Sequence, residues 1–69
     1  MDMQRVESTN IKAIGHDPAT NTLRVEFRNG GVYDYSNISP EKHASFLTAA
    51  SKGKHFHRHI RGLEHTKVA

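Results

Sequence analysis

Apolar and charged side chains alternate strictly over residues 23–28, in the order Leu-Arg-Val-Glu-Phe-Arg. This period of two, with β-branched and aromatic members, is typical of a β-strand that buries one face. Asn29-Gly30 follows, and both residues tolerate the positive φ angles of a two-residue hairpin turn. The extended pattern then resumes from Gly31 to Tyr35. The segment therefore predicts a β-hairpin.

A further strand is predicted upstream of the hairpin. Ile11 and Ile14 lie three residues apart, so both can face the core only if their strand contains a β-bulge. Residues 17–21, Asp-Pro-Ala-Thr-Asn, have the composition of a turn. The economical arrangement is an antiparallel meander of three strands.

Helical signals begin directly after the third strand. Ser39 suits the N-cap and Pro40 the first helical position, and Gly53 can end the helix in a left-handed conformation. Apolar residues recur at helical spacing in two groups: Phe46, Leu47 and Ala50, and then Phe56, Ile60 and Leu63. We therefore expect one or two short helices that pack on one face of the sheet.

These patterns combine into a single α+β domain over residues 8–63. It consists of a three-stranded antiparallel β-meander followed by one or two short helices. Residues 1–7 and 64–69 are polar and unpatterned, so we predict that they form flexible ends.

Composition narrows the class of protein further. The chain has 69 residues and no cysteine, which excludes disulfides, thiolate metal sites and cysteine nucleophiles. No stretch approaches the roughly 20 apolar residues of a membrane span, and the first residues lack the apolar region of a signal peptide. We expect a soluble cytoplasmic protein that has no membrane partner.

Motifs that would indicate catalysis are absent from the sequence. It contains no glycine-rich phosphate loop, nucleophile elbow or His-Glu-x-x-His motif, so we predict no enzyme activity and no cofactor. His55 and His59 have the i, i+4 spacing of a metal pair, but no further ligands accompany them. We interpret them as surface histidines and predict no metal site.

Positive charge is concentrated at one end of the chain. Residues 1–50 carry five lysines and arginines against six acids, whereas residues 51–69 carry five against Glu64 alone. On a helix, Lys54, Arg58 and Arg61 would share an outward side. Such a surface either attracts a polyanion or is a solvated face. The candidate phosphate-binding residues are Lys52, Lys54, Arg58 and Arg61.

The second candidate feature is the aromatic pair Tyr33-x-Tyr35, whose exposure depends on the hairpin register. A two-residue turn would place both rings on the polar face, beside Arg24 and Arg28, where unpaired bases could stack on them. A three-residue loop would pair Tyr33 with Phe27 and bury both tyrosines. The sequence leaves the two registers open.

An ordered series of residues resembles the KTSC domain, named for the C-terminus of some lysyl-tRNA synthetases and also found in free-standing small bacterial proteins. The series comprises Ser8, residues 13–17, Leu23-x-Val25-x-Phe27-x-Asn29-Gly30, Val32-Tyr33-x-Tyr35, Ser39-Pro40, Phe46-Leu47-x-Ala49, Ser51-Lys52-Gly53-Lys54-x-Phe56 and His59-Ile60.

The resemblance implies a family of unknown function for which RNA binding has been suggested, and it does not imply aminoacylation. Tyr33 and Tyr35 carry the Tyr-x-Tyr hallmark of the family. The chain departs from the family pattern at His16 and His55, where tyrosine is commoner, and at His57, which is often asparagine. Any aromatic surface of the relatives would be more basic here.

Together these features predict a small non-catalytic module that binds nucleic acid, RNA in preference to duplex DNA. The basic C-terminal segment would neutralise phosphates, while Tyr33 and Tyr35, with Arg24 and Arg28, would contact sugar or bases on one continuous surface. Four neutralised phosphates on a single strand predict a slope of log K against log salt of about −3. The alternative is a protein-interaction or homodimerising adaptor module of bacterial or phage origin, since a short sheet offers open edges.

Overall fold

The computed structural model describes all 69 residues and contains five strands and two helices. The elements are β1 (Met3–Arg5), β2 (Ile11–Asp17), β3 (Thr22–Phe27), β4 (Val32–Tyr35), α1 (Pro40–Thr48), α2 (Lys52–His59) and β5 (His65–Lys67). The strands form one antiparallel sheet in the order β1-β2-β3-β4-β5. The α+β class is confirmed, with five strands rather than the predicted three.

The predicted bulge in β2 is present. The register with β3 shifts between Ile11, which pairs with Phe27, and Ala13, which pairs with Glu26. The extra residue brings both Ile11 and Ile14 into the core, where neither has any exposed surface. The irregular spacing of the two isoleucines therefore reported a real feature of the backbone.

The β3–β4 hairpin has a three-residue loop of residues 28–30, so of the two loop lengths that the sequence left open, the two-residue turn is not formed. The Phe27 N–H donates to the Gly31 carbonyl at 2.8 Å, and the Gly30 N–H donates to the Phe27 carbonyl at 3.0 Å. Gly30 has a φ of 98°, whereas Asn29 stays outside the positive-φ region that a two-residue type I′ turn requires. Glycine is suited to that left-handed position because it has no Cβ.

This loop determines which way the tyrosines point. Tyr33 pairs with Val25 and Tyr35 with Leu23, which places both rings on the core face of the sheet. The partner of Tyr33 is thus Val25 rather than the Phe27 expected for a three-residue loop. Cross-strand partners point to the same face of a sheet. Because Leu23 and Val25 are buried in the core, their partners Tyr35 and Tyr33 also point towards the core.

The two helices begin at serine caps. The Ser39 hydroxyl accepts from the Lys42 N–H at 3.2 Å, with Pro40 in the first turn as predicted. The Ser51 hydroxyl accepts from the Lys54 N–H at 3.3 Å. Because this second cap starts α2 at residue 52, Gly53 lies in its first turn and does not end α1. The prediction for Gly53 was wrong because a serine N-cap two residues earlier restarts the helix.

Both helices cover the same face of the sheet and enclose the core between them. Phe46 from α1 and Phe56 from α2 are buried there. The core cluster comprises Ile11, Ile14, Leu23, Val25, Tyr35, Ile38, Phe46, Phe56 and Ile60. No polar or charged residue is buried, so apolar packing carries the fold.

The chain ends form the two edge strands, although the sequence pattern had assigned both to flexible ends. In β1, Met3 pairs with Gly15, and in β5, His65 pairs with Tyr35. Every side chain in these three-residue strands is exposed. Pairing there is carried by backbone hydrogen bonds to the neighbouring strand, which leave no hydrophobic alternation in the sequence.

Candidate nucleic-acid interface

Helix α2 presents one side to the core and the other to solvent. Phe56 and the adjoining Ile60 point inward and are buried, whereas Lys54 and Arg58 are exposed. Positions four apart lie on the same side of a helix, so the two cations form a row along its outer surface. Arg61, just beyond the end of α2, is exposed as well.

The cations of this row have no acidic partner. Helix α2 contains no acidic residue, and the two ion pairs of the molecule, Lys12–Glu26 and Arg24–Asp34, lie on the sheet. Arg61 instead donates through Nη1 to His57 Nδ1 at 3.0 Å. The outer side of α2 is therefore a positively charged surface that can accept an anionic partner without first breaking an ion pair.

Lys52 stands apart from this row. It is half-buried, and its Nζ donates to the Ala49 carbonyl at 2.9 Å, in the turn between the helices. That hydrogen bond occupies one of the three ammonium donors and holds the side chain against the end of α1. Of the predicted phosphate-binding set, Lys54 and Arg58 thus make no side-chain hydrogen bond or ion pair, and Arg61 contacts only His57.

Tyr35 belongs to the core and not to a binding surface. Only 3% of it is exposed, and its ring packs edge-on against Phe56 at 5.5 Å and near His65 at 5.0 Å. Burial raises the pKa of the Tyr35 hydroxyl, and the neighbouring Tyr33 adds to the shift. A base cannot stack on this ring, so the expectation of an exposed tyrosine pair was wrong.

Tyr33 is half-buried at the hairpin end of the same face. Its ring makes an edge contact with Phe27 at 5.9 Å and lies 6.0 Å from His65. A small cleft of about 370 Å³ adjoins it, also lined by Lys67 and the hairpin loop. Part of the Tyr33 ring is accessible, but its neighbours are Phe27, His65 and the hairpin loop, and the cleft beside it is lined by no residue of α2.

Arg24 lies on the opposite face of the sheet from α2. It pairs with Asp34 across β3 and β4, and its Nε and Nη2 donate to the two carboxylate oxygens at 2.7 and 2.9 Å. The hydrogen bond and the charge of Asp34 raise the pKa of Arg24 above its ordinary value. Arg24 therefore links β3 to β4 through Asp34 and is not part of a surface shared with α2.

Arg28 is exposed at the end of β3, where its Nε donates to the Ser8 carbonyl at 2.9 Å. The contact ties the hairpin to the segment that precedes β2. The continuous surface of tyrosines and cations expected from the sequence is therefore not formed, since Tyr35 is buried and Arg24 faces the other way.

Two histidines that the sequence marked as incidental form an aromatic stack between the helices. The His55 ring lies parallel to Phe46, with a centroid distance of 5.4 Å and an interplanar angle of 14°. The His59 ring follows at 4.6 Å from His55. Burial lowers the pKa of His55, and the charge of a protonated His59 would lower it further. The sequence feature that could have revealed this stack is the i, i+4 spacing of His55 and His59 beside Phe56. That spacing places both rings on the side of α2 that faces α1.

These rings line an open groove of about 490 Å³ between α1 and α2. Its lining residues are Ile38, Glu41, Lys42, Ser45, His55, His59 and Ile60. No three histidine, aspartate or glutamate side chains of the molecule are grouped so as to hold a metal ion.

A second histidine pair lies away from α2. His16 on β2 stacks on His43 of α1 at 4.8 Å with an interplanar angle of 13°. His16 Nε2–H donates to the Ile38 carbonyl at 2.6 Å, whereas the buried His43 Nε2 has no hydrogen-bond partner. Burial lowers the pKa of His43, and the neighbouring His16 adds to the effect.

The sequence model of the KTSC domain family matches residues 7–63, most of the folded chain. The chain belongs to the KTSC domain family. A crystal structure of a KTSC domain protein from Yersinia pestis has the same fold, with a TM-score of 0.95 and 35% sequence identity over 99% of this chain and 97% of that one. The resemblance drawn from the sequence is thereby confirmed.

Relatives of this KTSC domain occur both alone and within larger proteins. An uncharacterised protein of Stutzerimonas stutzeri is 38% identical over 58 residues, which are 81% of this chain and 82% of that protein. A lysine–tRNA ligase of Nostoc punctiforme is also 38% identical, over 56 residues that make up 81% of this chain but only 10% of the ligase. Neither helix of the domain is long and apolar enough to cross a membrane.

Proposed function

We propose that this KTSC domain is a non-catalytic module that binds RNA through the outer side of α2. The observation that carries the proposal is the row formed by Lys54 and Arg58, extended by Arg61, in which no cation has an acidic partner. Phosphate contacts supply most of the affinity in sequence-independent binding, and they need accessible positive charge.

The relatives support RNA as the polyanion. Similar segments occur in ligases whose substrate, by their name, is a tRNA. A small domain added to such an enzyme gains a function if it increases the local concentration of the RNA around it. The proposal uses neither Tyr35 nor Arg24, because their positions in the fold exclude them from the α2 surface.

Salt dependence provides the direct test. Three cations that each neutralise one phosphate of a single strand predict a slope of log K against log salt of about −2, since each contributes about −0.7. The slope of about −3 expected from four contacts is lowered because Lys52 is held at Ala49. Fluorescence anisotropy with a labelled single-stranded RNA of about ten nucleotides, which spans a site of ordinary size, measures this slope.

A double substitution sharpens the test. Lys54→Ala with Arg58→Ala leaves one contact and should reduce the slope to about −0.7. The matched control is Arg5→Ala with Lys67→Ala, which removes the same charge from exposed positions outside α2 that form no ion pair and should leave the slope near −2. Equal losses in both variants would show that only net charge matters, and absence of affinity at low salt would refute the proposal.

A second candidate, self-association, rests on the edge strands. Strands β1 and β5 each leave one backbone edge unpaired, and Met1, Met3 and Val68 are exposed large apolar residues at these ends. Strand addition across such an edge would form a dimer. Light scattering across a concentration series distinguishes this candidate, because RNA binding by α2 needs no second copy.

A further inference from the structure

The groove between α1 and α2 has the chemistry of a base site. Its volume of about 490 Å³ falls within the ~300–1,000 Å³ of ordinary small-molecule sites. Ile38 and Ile60 are its apolar lining residues, and Glu41, Lys42 and Ser45 of α1 contribute polar groups. An apolar floor with a few polar groups at the margin is suited to a flat heterocycle.

One wall of the groove contains stacked aromatic rings, those of Phe46 and His55. Phe46 is fully buried and lies parallel to His55, so the imidazole has a rigid support behind it. His59 lies next to His55 and lines the groove with it. Imidazole rings are among the side chains on which unpaired RNA bases stack.

The groove also adjoins the cationic row. His55 and His59 occupy the side of α2 next to Lys54 and Arg58, because adjacent helix positions are about 100° apart. A strand whose phosphates follow Lys54 and Arg58 therefore passes the opening of the groove. One nucleotide of that strand can turn its base inward without leaving its phosphate contact.

We propose that the groove holds one unpaired RNA base, stacked on His55 and His59, with the phosphates of the same strand on the outer side of α2. The proposal rests on the proposed RNA-binding function and adds a base contact to it. Glu41 favours cytosine, since a carboxylate accepts from an exocyclic amino group and cannot donate to a carbonyl, whereas Lys42 of the same lining can donate to the ring carbonyl that cytosine and uracil share. Cytosine carries such an amino group where uracil carries a carbonyl. In protein–DNA complexes, carboxylate side chains accept hydrogen bonds from this cytosine amino group.

Two labelled RNAs of about ten nucleotides, oligocytidylate and oligouridylate, test the site because they share charge and ring size. The wild-type domain should bind oligocytidylate more tightly. Ser45→Trp fills the groove and should abolish this difference, with a loss of affinity for oligocytidylate of about fivefold or more, the loss of one stacked base. Ala44→Trp is the matched control, because Ala44 is an exposed neighbour that does not line the groove.

A polyphosphate of similar charge measures the phosphate contacts alone. Its affinity should be the same for wild type and Ser45→Trp. In wild-type protein, ring-current shifts of the His55 and His59 ring protons should appear on saturation with oligocytidylate, while the signals of His16, which stacks on His43 away from α2, stay unchanged. This spectrum tests the site without any variant.

The outcomes separate the two proposals. If wild type binds neither RNA at low salt, the RNA-binding function is wrong, and the base site is wrong with it. If wild type binds, and the double substitution at Lys54 and Arg58 weakens binding, yet Ser45→Trp behaves like Ala44→Trp, the function stands and the base site is overturned. Equal affinity for the two RNAs would overturn the role of Glu41.

Discussion

The outer face of the sheet and the outer side of α2 both carry arginine and lysine, but they use them differently. On the sheet, Arg24 is held by two hydrogen bonds to Asp34, and Lys12 lies 3.7 Å from Glu26. On α2, Lys54 and Arg58 have no carboxylate within reach. Paired charges add a little to stability and fix side-chain positions, whereas unpaired charges remain available to a partner.

The charge count of a segment therefore does not locate a binding surface by itself. Arg24 and Arg28 were grouped with the α2 cations because a two-residue turn would have placed them beside the tyrosines on the polar face of the hairpin. In the fold, one is tied to Asp34 and the other to the Ser8 carbonyl. The partner that each cation already has is the property that divides the two regions.

The largest effect is expected where α2 is anchored. Phe56→Ala should destabilise the domain by about 3–5 kcal/mol, the usual cost of removing a buried phenylalanine side chain. Phe56 contacts Phe27, Tyr35 and Phe46 at ring distances of 5.3, 5.5 and 6.5 Å, so its loss removes the aromatic contacts by which α2 packs against the sheet and α1. Urea unfolding measures the change. A cost below about 1 kcal/mol would show that α2 is held mainly by other contacts.

The next effect distinguishes the two charged regions directly. Arg24→Ala should slightly lower the free energy of unfolding, since it breaks a partly exposed ion pair with Asp34, and should leave RNA affinity unchanged. Thermal unfolding and anisotropy on the same sample measure both quantities. Loss of RNA affinity here would mean that the sheet face takes part in binding.

Arg58→Ala should leave stability nearly unchanged and weaken RNA binding, the opposite of the result expected for Arg24→Ala. Its stability should stay within about 0.5 kcal/mol of wild type, because the exposed side chain has no partner in the fold. The salt slope of RNA binding should become less steep by about 0.7. Equal behaviour of the Arg24 and Arg58 variants in both assays would remove the distinction between the two regions.

Acidification should have the smallest effect, because His43 and His55 are only partly buried. Their folded-state pKa values are lowered below the ordinary 6.5, so the unfolded chain takes up these protons first. The stability contribution of the neutral rings is complete above pH 6.5 and is lost as the pH falls from there towards the folded-state values. Unfolding free energies between pH 7 and 5 (about the range of histidine titration) test this, and His43→Phe, which keeps a flat ring, should flatten the dependence.

Much of the fold follows from local patterns. The alternation in β3, the spacing of Ile11 and Ile14, and the Ser39-Pro40 start of α1 each have a direct physical meaning that the structure bears out. The apolar stripe of α2 also correctly predicted its inward side, with Phe56 and Ile60 in the core.

The orientation of the tyrosines did not follow from the sequence, for a specific reason. Asn29-Gly30 suits a two-residue turn, but the same pair also fits a three-residue loop with glycine in the left-handed position. The two loops differ by one residue of register, and one residue of register reverses the face of every side chain in β4. Packing of Tyr35 against Phe56 selects between them, and that contact lies 21 positions apart in sequence.

The histidine stack was missed because spacing alone cannot distinguish a metal pair from an aromatic contact. His55 and His59 have the separation that either role requires, and the deciding neighbour, Phe46, belongs to another helix. The edge strands were missed for a related reason, since their partners are backbone groups on β2 and β4.

The late position of β5 in the chain has a kinetic consequence. Short links join β1 to β2, β2 to β3 and β3 to β4, whereas residues 36–64, which include both helices, separate β4 from β5. Closing the longer loop costs more chain entropy, so we expect this ladder to form last. Its three residues are also exposed, and their amide hydrogens should exchange earliest in deuterated solvent. We therefore expect β5 to separate from β4 and pair with it again by local unfolding, while the remaining strands stay folded.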